Sequence, residues 1–471
     1  MKIFRSFKDL QNRLYNNDFS CEELVRFYLS EIKEKDIYNS FIETFNDSAI
    51  EQAKTVDHDI SNKKRKKLSG LIIGIKDNIC YENHNVTASS LILKNFKSLF
   101  SATVVKKLIS EGAIIIGRLN CDEFAMGSSN KNTIYGPVKN PHDISKVAGG
   151  SSGGSAAAVS AGLCLVALGS DTGGSIRQPA AFCGSVGIKP TYSRVSRFGL
   201  IAYGSSFDQI GPIANNIYDA SLVLEVISGH DENDSTSSSR DVEPYSKFKA
   251  NISSKKIAYI SECFEHEGLD PEIKNNLKQK LDDLKLEGHT VEPVSFPFLD
   301  YLVPAYYVLS TAEASSNLSR YDGINYGYRS DQTQSLDQTY INSRMEGFGE
   351  EVKRRIMLGT FVLSAGYHDA YFTKAQKIRR VIKEKINDFF SEYDFILTPT
   401  TPHVAFPIDN EVTDPTQMYL EDIYTVLANL TGNPAISLPM LNHSTKLPYG
   451  LQIMSKYFDE ANMLSFSNKY F

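Results

Sequence analysis

The sequence has no excess of basic residues. Its 471 residues include 50 Lys and Arg against 56 Asp and Glu, a formal net charge of −6 at pH 7. A protein whose main surface grips nucleic acid usually carries a strong basic excess, so the composition argues against that class as the principal role. We interpret the one basic run, Lys63–Lys67, as a solvated helix end or loop, with an RNA or partner contact as the alternative.

Cysteine pairs and long apolar runs are also missing. The six cysteines show no C-x-x-C spacing, which favours a reduced chain and a cytoplasmic location, with an organellar matrix as the alternative. No stretch approaches the roughly 18 uncharged apolar residues of a membrane helix, and the N-terminus has no apolar core of a secretory signal. We therefore expect no membrane partner. With 41% hydrophobic residues, the chain can build a packed core.

Strand-like and helix-like segments alternate along the chain. Gly70–Cys80 is a short isoleucine-rich run typical of a buried strand, and a helix closed by Gly112 precedes a second such run. Strand, helix and strand follow one another between Lys255 and Phe296, and Ser20 opens a capping box at the start of a helix. This alternation predicts an α/β fold with a parallel or mixed sheet between helices.

The chain is interpreted as one domain over residues 1–471. Within it we distinguish an N-terminal helical segment of about residues 1–65, a core of about 66–230 and a remainder of about 247–471. Asp231–Ser246 is the most linker-like stretch, and we expect a polar surface loop without core residues there.

Two clusters of glycine and serine, Gly149–Ser155 and Gly173–Ser175, flank an alanine-rich run. Neither cluster has the lysine of a phosphate-binding P-loop, and no G-x-G-x-x-G fingerprint occurs. The first cluster matches the G-x-S-x-G nucleophile elbow, but residues 140–148 before it are predicted to form a loop rather than the required strand. The remaining alternatives are simple tight turns or a catalytic site.

The second cluster has the composition of an oxyanion hole. The backbone N–H groups of Thr172, Gly173, Gly174 and Ser175 are expected to be free to converge beside a hydroxyl. A serine nucleophile needs a base, and none of the nine histidines lies in an obviously catalytic setting. Lys76, at the end of an apolar strand, is the candidate base if burial lowers its pKa; a structural lysine paired with Asp77 is the alternative.

The segments "GIKDN" at Gly74–Asn78 and "AGGSSGGSAAAVSAG" through "GSVGIKPT" at Ala148–Thr191 resemble the amidase signature family. The resemblance implies a Ser-cisSer-Lys triad of Ser175 as nucleophile, Ser151 as relay and Lys76 as base, with a cis peptide bond before Ser151. It also implies a single α/β/α domain around a large mixed sheet, surrounded by helices, with no metal or cofactor in this chain.

Further stretches resemble the glutamine-hydrolysing subunits of tRNA-dependent amidotransferases, a branch of this family; they are Ser310–Arg329, Glu346–Arg380 and Asp414–Pro439. The likeness implies free L-glutamine as substrate. Arg355 would hold its α-carboxylate and Asp422 its α-ammonium, with Tyr306 and Ser128 as further contacts. From the residues alone, a helix surface charge beside Lys353 and Arg354 is the favoured interpretation of Arg355.

The same likeness implies a heterotrimer with the B and C subunits of the amidotransferase. Ammonia would pass to the B subunit, which would use ATP and Mg²⁺ to amidate misacylated Glu-tRNA(Gln), with Asp-tRNA(Asn) as a second candidate substrate. The tRNA would be held mainly by the B subunit. Two alternatives stay open: a free-standing amidase of the same family, and a catalytically inactive scaffold protein.

Overall fold

The computed structural model describes residues 1–249, 252–410 and 419–471. In these ranges the helices, in chain order, are α1 (Phe7–Tyr15), α2 (Cys21–Lys35), α3 (Asn46–Ser61), α4 (Thr103–Ser110), α5 (Gly153–Ala161), α6 (Arg177–Phe182), α7 (Ile217–Ile227), α8 (Ser261–Glu265), α9 (Pro271–Leu286), α10 (Leu299–Asn317), α11 (Leu336–Gly347), α12 (Glu350–Leu363), α13 (Lys374–Glu392), α14 (Val426–Thr431) and α15 (Glu460–Tyr470). The strands are β1 (Phe41–Thr44), β2 (Ile72–Lys76), β3 (Ile114–Leu119), β4 (Lys139–Asn140), β5 (Asp143–Val147), β6 (Val166–Asp171), β7 (Val186–Lys189), β8 (Gln209–Ala214), β9 (Lys256–Ile260), β10 (Thr290–Val294), β11 (Phe395–Pro399), β12 (Ala435–Met440) and β13 (Tyr449–Ser455).

Eleven of the described strands form one mixed sheet in the order β1-β3-β2-β6-β8-β7-β12-β13-β11-β9-β10. Strand β2 runs parallel to both β3 and β6, whereas β8 pairs antiparallel with β6 and β7. At the other end of the sheet, β9 is parallel to β10 and β11. The α/β class and the large mixed sheet surrounded by helices are as the sequence predicts. The sheet draws strands from all three parts of the chain; the boundaries between those parts remain a prediction.

The buried strands explain why polar groups gather at one edge of the sheet. Every residue of β2, β3 and β6 is buried, as expected for strands covered on both faces. Because β2 and β6 are parallel neighbours with Ile75 opposite Leu168, their carboxyl ends lie side by side. Lys76 ends β2 and Asp171 ends β6, so the sheet itself brings the two sequence motifs together.

Helix α5 covers this edge closely because its side chains are small. Its alanines, Ala156, Ala157 and Ala158, are fully buried, and the helix ends at Gly162 in the left-handed conformation. The predicted capping box is also present at α2, where the Ser20 side chain accepts from the Glu23 N–H and the Glu23 side chain accepts from the Ser20 N–H.

Three local predictions are wrong. The supposed loop before Gly149 contains strands β4 and β5, which pair as a small hairpin outside the main sheet. The N-terminal segment described as helical also contributes β1 to the sheet. Asp231–Ser246 has no helix or strand, as predicted, but it does supply a core residue, because Tyr245 is buried in the main apolar cluster. The hairpin is missed because its residues are largely polar, whereas the roles of β1 and Tyr245 depend on partners far away in the sequence.

The basic run Lys63–Lys67 is an exposed loop that follows α3. Two of its lysines make ion pairs with acidic residues of this chain, Lys66 with Asp59 and Lys67 with Glu225. All six cysteines are unpaired and buried. None of the helices in the described ranges has the length and apolar character that a membrane crossing requires.

Candidate active site

Lys76 lies at the centre of a cluster of hydroxyl groups. Its Nζ atom contacts Ser151 Oγ at 2.6 Å, Ser170 Oγ at 2.9 Å and Ser152 Oγ at 3.0 Å. The side chain of Asn78 donates to the same Ser170 Oγ at 2.9 Å. Lys76 and Ser151 are therefore in direct contact, as a base and relay pair requires.

Burial decides the charge state of this lysine. Lys76 is fully buried, and this desolvation lowers its pKa to about 8. The alternative of a structural pair with Asp77 is wrong, because the Asp77 carboxylate accepts from Arg118 at 2.5 Å and from the backbone N–H of Thr87 and Ser89. The amine faces hydroxyl groups, so it can become neutral without stranding a buried carboxylate.

The peptide bond between Gly150 and Ser151 is cis, as the family resemblance implies. Hydrogen bonds surround this bond on both sides. Gly150 N–H donates to Gln178 Oε1 at 2.9 Å, and Gln178 Nε2 in turn donates to the Ser128 carbonyl at 2.7 Å. On the other side, Asp122 N–H donates to the Ser151 carbonyl at 3.1 Å. Gln178 therefore joins the Ser128 backbone to the peptide bond that precedes Ser151, the predicted relay serine.

The Ser175 loop is organised by the buried Asp171 carboxylate. It accepts from the backbone N–H of Gly174 at 2.9 Å and of Ile176 at 3.2 Å, and it pairs with the Arg177 guanidinium at 2.9 Å. The expectation that all four amides of the loop are free is therefore wrong for Gly174. The amides of Thr172, Gly173 and Ser175 remain the candidate oxyanion donors.

Both glycines of this loop are required by close neighbours. A Cβ atom on Gly173 would lie 2.5 Å from the Tyr306 hydroxyl oxygen, and one on Gly174 would overlap Thr425 Oγ1. Gly174 also has φ +135°, which L residues rarely adopt. Tyr306 therefore contacts the Ser175 loop, and the Thr425 hydroxyl donates to the Gly173 carbonyl at 2.6 Å.

Ser175 is slightly exposed, whereas the other two members of the predicted triad are sealed. Its relative exposure is 8%, against 0% for Lys76 and Ser151. Its carbonyl accepts from the Ser152 N–H at 3.1 Å, which ties the two glycine clusters together. The arrangement places the candidate nucleophile at the surface of the site and the candidate base beneath it.

Arg355 is not a surface charge. It projects from α12 into the interior, where its Nε donates to Glu351 at 2.8 Å and its Nη1 to the Tyr203 hydroxyl at 2.8 Å. Its Cζ lies 5.1 Å from the ring centre of Tyr307. Within the described residues these contacts use two of five guanidinium N–H groups, so the others can meet a carboxylate.

Tyr307 connects Arg355 to the second predicted substrate contact. Its hydroxyl donates to Asp422 Oδ2 at 3.1 Å. Desolvation raises the pKa of the Asp422 carboxyl to about 7, so burial makes this anion costly unless a cation joins it. Asp422 belongs to the turn that also carries Thr425, and through it the Gly173 contact. Arg355, Asp422 and Tyr306 thus converge on one side of the Ser175 loop.

Several residues that shape this site were not predicted from the sequence. Three of them lie within the quoted motif, namely Ser170, Asp171 and Arg177. The opposite charges of Asp171 and Arg177, six residues apart in that motif, were a detectable signal of their contact. Tyr203 and Gln178 carried no such signal, because their roles depend on partners more than 25 residues away. Residues 414–418 of the Asp414–Pro439 stretch lie outside the described residues.

In the described part of the chain, no group of three or more His, Cys, Asp or Glu side chains is arranged to hold a metal ion. That this chain carries no cofactor of its own stays a prediction.

Known proteins resemble this chain over nearly its whole length. The chain is 49% identical over 464 residues to the A subunit of glutamyl-tRNA(Gln) amidotransferase from Pelodictyon phaeoclathratiforme, covering 98% of each chain. It is 48% identical to the equivalent A subunit from Chlorobium phaeobacteroides, covering 98% of this chain and 97% of the relative. The crystal structure of the Thermotoga maritima A subunit superposes with a TM-score of 0.78 at 42% identity, covering 95% of this chain and 90% of that one.

The sequence model of the amidase family matches residues 23–464. The match covers nearly the whole chain, including the lysine, the two glycine and serine clusters and the two predicted substrate contacts, Arg355 and Asp422. Together with the contact between the buried lysine and its serine neighbours, this match shows that the chain belongs to the amidase family.

Proposed function

We propose that this chain is the glutamine-hydrolysing subunit of a tRNA-dependent amidotransferase. The observation that carries the proposal is the buried pair of opposite charges, Arg355 and Asp422, joined by Tyr307 beside the Ser175 loop. A free amino acid carries a carboxylate and an ammonium group, and this pair can bind both. The names of the full-length relatives support an amidotransferase role for the same chain.

The chemistry begins with the neutral form of Lys76. Its lone pair accepts the Ser151 hydroxyl proton, and Ser151 Oγ in turn takes the proton of Ser175. Ser175 Oγ then attacks the side-chain carboxamide carbon of glutamine, and the new oxyanion accepts from the amides of Thr172, Gly173 and Ser175. A single such donor is worth about 3–4 kcal/mol in the transition state.

Collapse of the tetrahedral intermediate releases the nitrogen. The carbon–nitrogen bond breaks while the proton returns through Ser151 to the leaving amine, so ammonia departs and a γ-glutamyl ester stays on Ser175. Water, activated by the same Lys76 and Ser151 pair, then cleaves the ester and releases glutamate. Ammonia passes to the B subunit, which uses ATP and Mg²⁺ to amidate the misacylated tRNA, while the C subunit braces the pair.

The test is co-expression with candidate B and C subunits, followed by glutamine-dependent amidation of misacylated tRNA. We expect amidation with glutamine, and we expect Ser175→Ala to abolish glutamine use while ammonia still supports amidation. An alanine complex that still uses glutamine would favour the scaffold alternative. Partner-free hydrolysis of small amides, without tRNA amidation, would favour the free-standing amidase.

A further inference from the structure

A buried carboxylate outside the predicted site connects the Ser175 loop to the Arg355 side of the pocket. Asp208 immediately precedes β8, and Thr172 immediately follows β6. Because Asp171 and Gln209 are partners in the antiparallel pair of these strands, Thr172 and Asp208 leave the sheet side by side. The Thr172 hydroxyl donates to Asp208 Oδ1 at 2.6 Å.

The other contacts of Asp208 reach a turn that carries Tyr203. Its Oδ2 accepts from the Tyr203 N–H at 3.0 Å, and its Oδ1 accepts from the Gly204 N–H at 3.2 Å. The Tyr203 hydroxyl accepts from Arg355 Nη1 at 2.8 Å and donates to Ser310 Oγ at 3.0 Å. Thr172 is therefore connected to Arg355 by hydrogen bonds through Asp208 and the Tyr203 backbone, and then through the Tyr203 side chain.

From these contacts we infer that Asp208 is a positioning residue. It holds Thr172, in the oxyanion loop, at a fixed distance from Tyr203, which lies behind the carboxylate of the bound substrate. The inference rests on the proposed function, since it concerns the distance between the residues that bind glutamine and the loop that cleaves it. Both oxygens of Asp208 must act as acceptors, because two of their three partners are backbone N–H groups, which can only donate.

This requirement makes Asp208→Asn informative. An asparagine must turn its NH₂ group towards either Tyr203 N–H or Gly204 N–H, and a donor there faces a donor. The turn and the loop then lose their common anchor. Two single-arm variants separate the effects: Thr172→Val removes the hydroxyl arm, and Tyr203→Phe removes only the contact with Arg355.

Steady-state glutaminase kinetics of the assembled complex test the inference. We expect Thr172→Val to lower kcat by about tenfold with little change in KM, and Thr172→Ser to recover most of that loss. Tyr203→Phe should raise the glutamine KM by about threefold or more at similar kcat, and Asp208→Asn should change both parameters. In the double variant of Asp208→Asn and Thr172→Val, kcat should fall no further than in Asp208→Asn alone, because the hydroxyl arm is already lost.

Asp219→Asn is the matched control, because Asp219 is an equally buried carboxylate that accepts from the Phe7 N–H and from Asn216, outside the site. The inference would be overturned if the kcat losses of the two single variants multiply in the double variant, or if Asp208→Asn has normal kinetics. If Asp208→Asn does not fold, an unchanged kcat in Thr172→Val overturns it instead. A wild-type complex without glutaminase activity would overturn the proposed function itself, whereas an active wild type with the wrong variant pattern overturns the positioning role alone.

Discussion

At the scale of single residues, the surroundings of Arg355 predict its role in substrate affinity. Arg355→Ala should raise the glutamine KM by at least about tenfold, because loss of a buried, charge-assisted pair costs about 2–5 kcal/mol. A lysine keeps the charge but not the planar fork, so Arg355→Lys should recover only part of the loss. Steady-state kinetics with glutamine and with ammonia as nitrogen donors measure both effects.

Arg354 provides the control for this experiment. It directly precedes Arg355 on α12 and pairs with the same Glu351, but about half of its side chain is exposed. Arg354→Ala should leave the glutamine KM unchanged, and ammonia-dependent activity should survive in all three variants. A normal glutamine KM in Arg355→Ala would mean that another residue binds the α-carboxylate of the substrate.

The charge state of Lys76 predicts the pH dependence of catalysis. Burial lowers the pKa of Lys76 to about 8, and only the neutral amine can accept the relay proton. The kcat for glutamine hydrolysis should therefore rise by about tenfold per pH unit below pH 8 and level off above it. Because burial raises the pKa of Asp422 to about 7, the glutamine KM should increase as that carboxyl is protonated below pH 7.

Stability should follow the same lysine with a definite sign. The folded state holds fewer protons at Lys76 than the unfolded chain between pH 8 and the ordinary lysine pKa near 10.5, so its contribution to stability rises with pH across that window.

A pH–rate profile with no acid limb near pH 8 would contradict the assignment of Lys76 as the base, as would high activity in Lys76→Arg, which stays protonated.

At the scale of elements, the turn between β6 and α6 depends on Asp171. Asp171→Asn should lower the free energy of unfolding by about 3–5 kcal/mol, because it leaves the buried Arg177 guanidinium without its anion. Each oxygen of Asp171 accepts from a backbone N–H, of Gly174 or Ile176, and from Arg177. Asparagine has only one acceptor oxygen, so its NH₂ group would face donors on the other side. We expect a lower Tm in thermal unfolding, together with loss of glutaminase activity.

The conservative control is Asp9→Asn, which removes an exposed carboxylate 3.7 Å from Lys2. Surface pairs of this kind contribute about 0–1 kcal/mol, so its Tm should stay close to that of the wild type. Equal Tm values for the two variants would show that the Asp171–Arg177 pair does not stabilise the turn.

The same elements show how far sequence reasoning reaches. The isoleucine run of β2 and the capping box of α2 are local patterns, and both elements lie where the sequence predicts them. The β4–β5 hairpin has mixed, largely polar residues, so no periodicity marks it. Tyr203 and Tyr245 acquire their roles only through partners brought close by the sheet, which no local pattern encodes.

The candidate triad was available from motifs because its three residues lie within two quoted stretches. The buried position of Arg355 was not, since "EEVKRRIMLGTF" is equally compatible with an exposed helix face. Whether Arg354 or Arg355 points inward depends on the rotation of α12 against its neighbours. Geometry therefore adds most where one helix offers several identical side chains.

At the scale of the whole molecule, the burial of all six thiols predicts their reactivity. The thiolate is the reactive form, and burial raises the pKa of Cys121 and Cys164 to about 12. A thiol reagent should therefore label the native chain slowly and titrate six thiols after unfolding in denaturant. Rapid labelling of a native thiol, or fewer than six after unfolding under reducing conditions, would contradict this description.

The strand order has a consequence for how the protein is made. Strand β12 adjoins β7, and β13 adjoins β12, although both are made long after β7, and Arg177 is hydrogen-bonded to Thr425, Asn429 and Gln452. A nascent chain that ends just before α14 already contains the candidate triad but lacks Asn429 and Gln452, two of the residues that hold Arg177. Since domains form as the ribosome extends the chain, we expect the nucleophile to remain unassembled, and glutamine hydrolysis to be delayed, until β13 has been made.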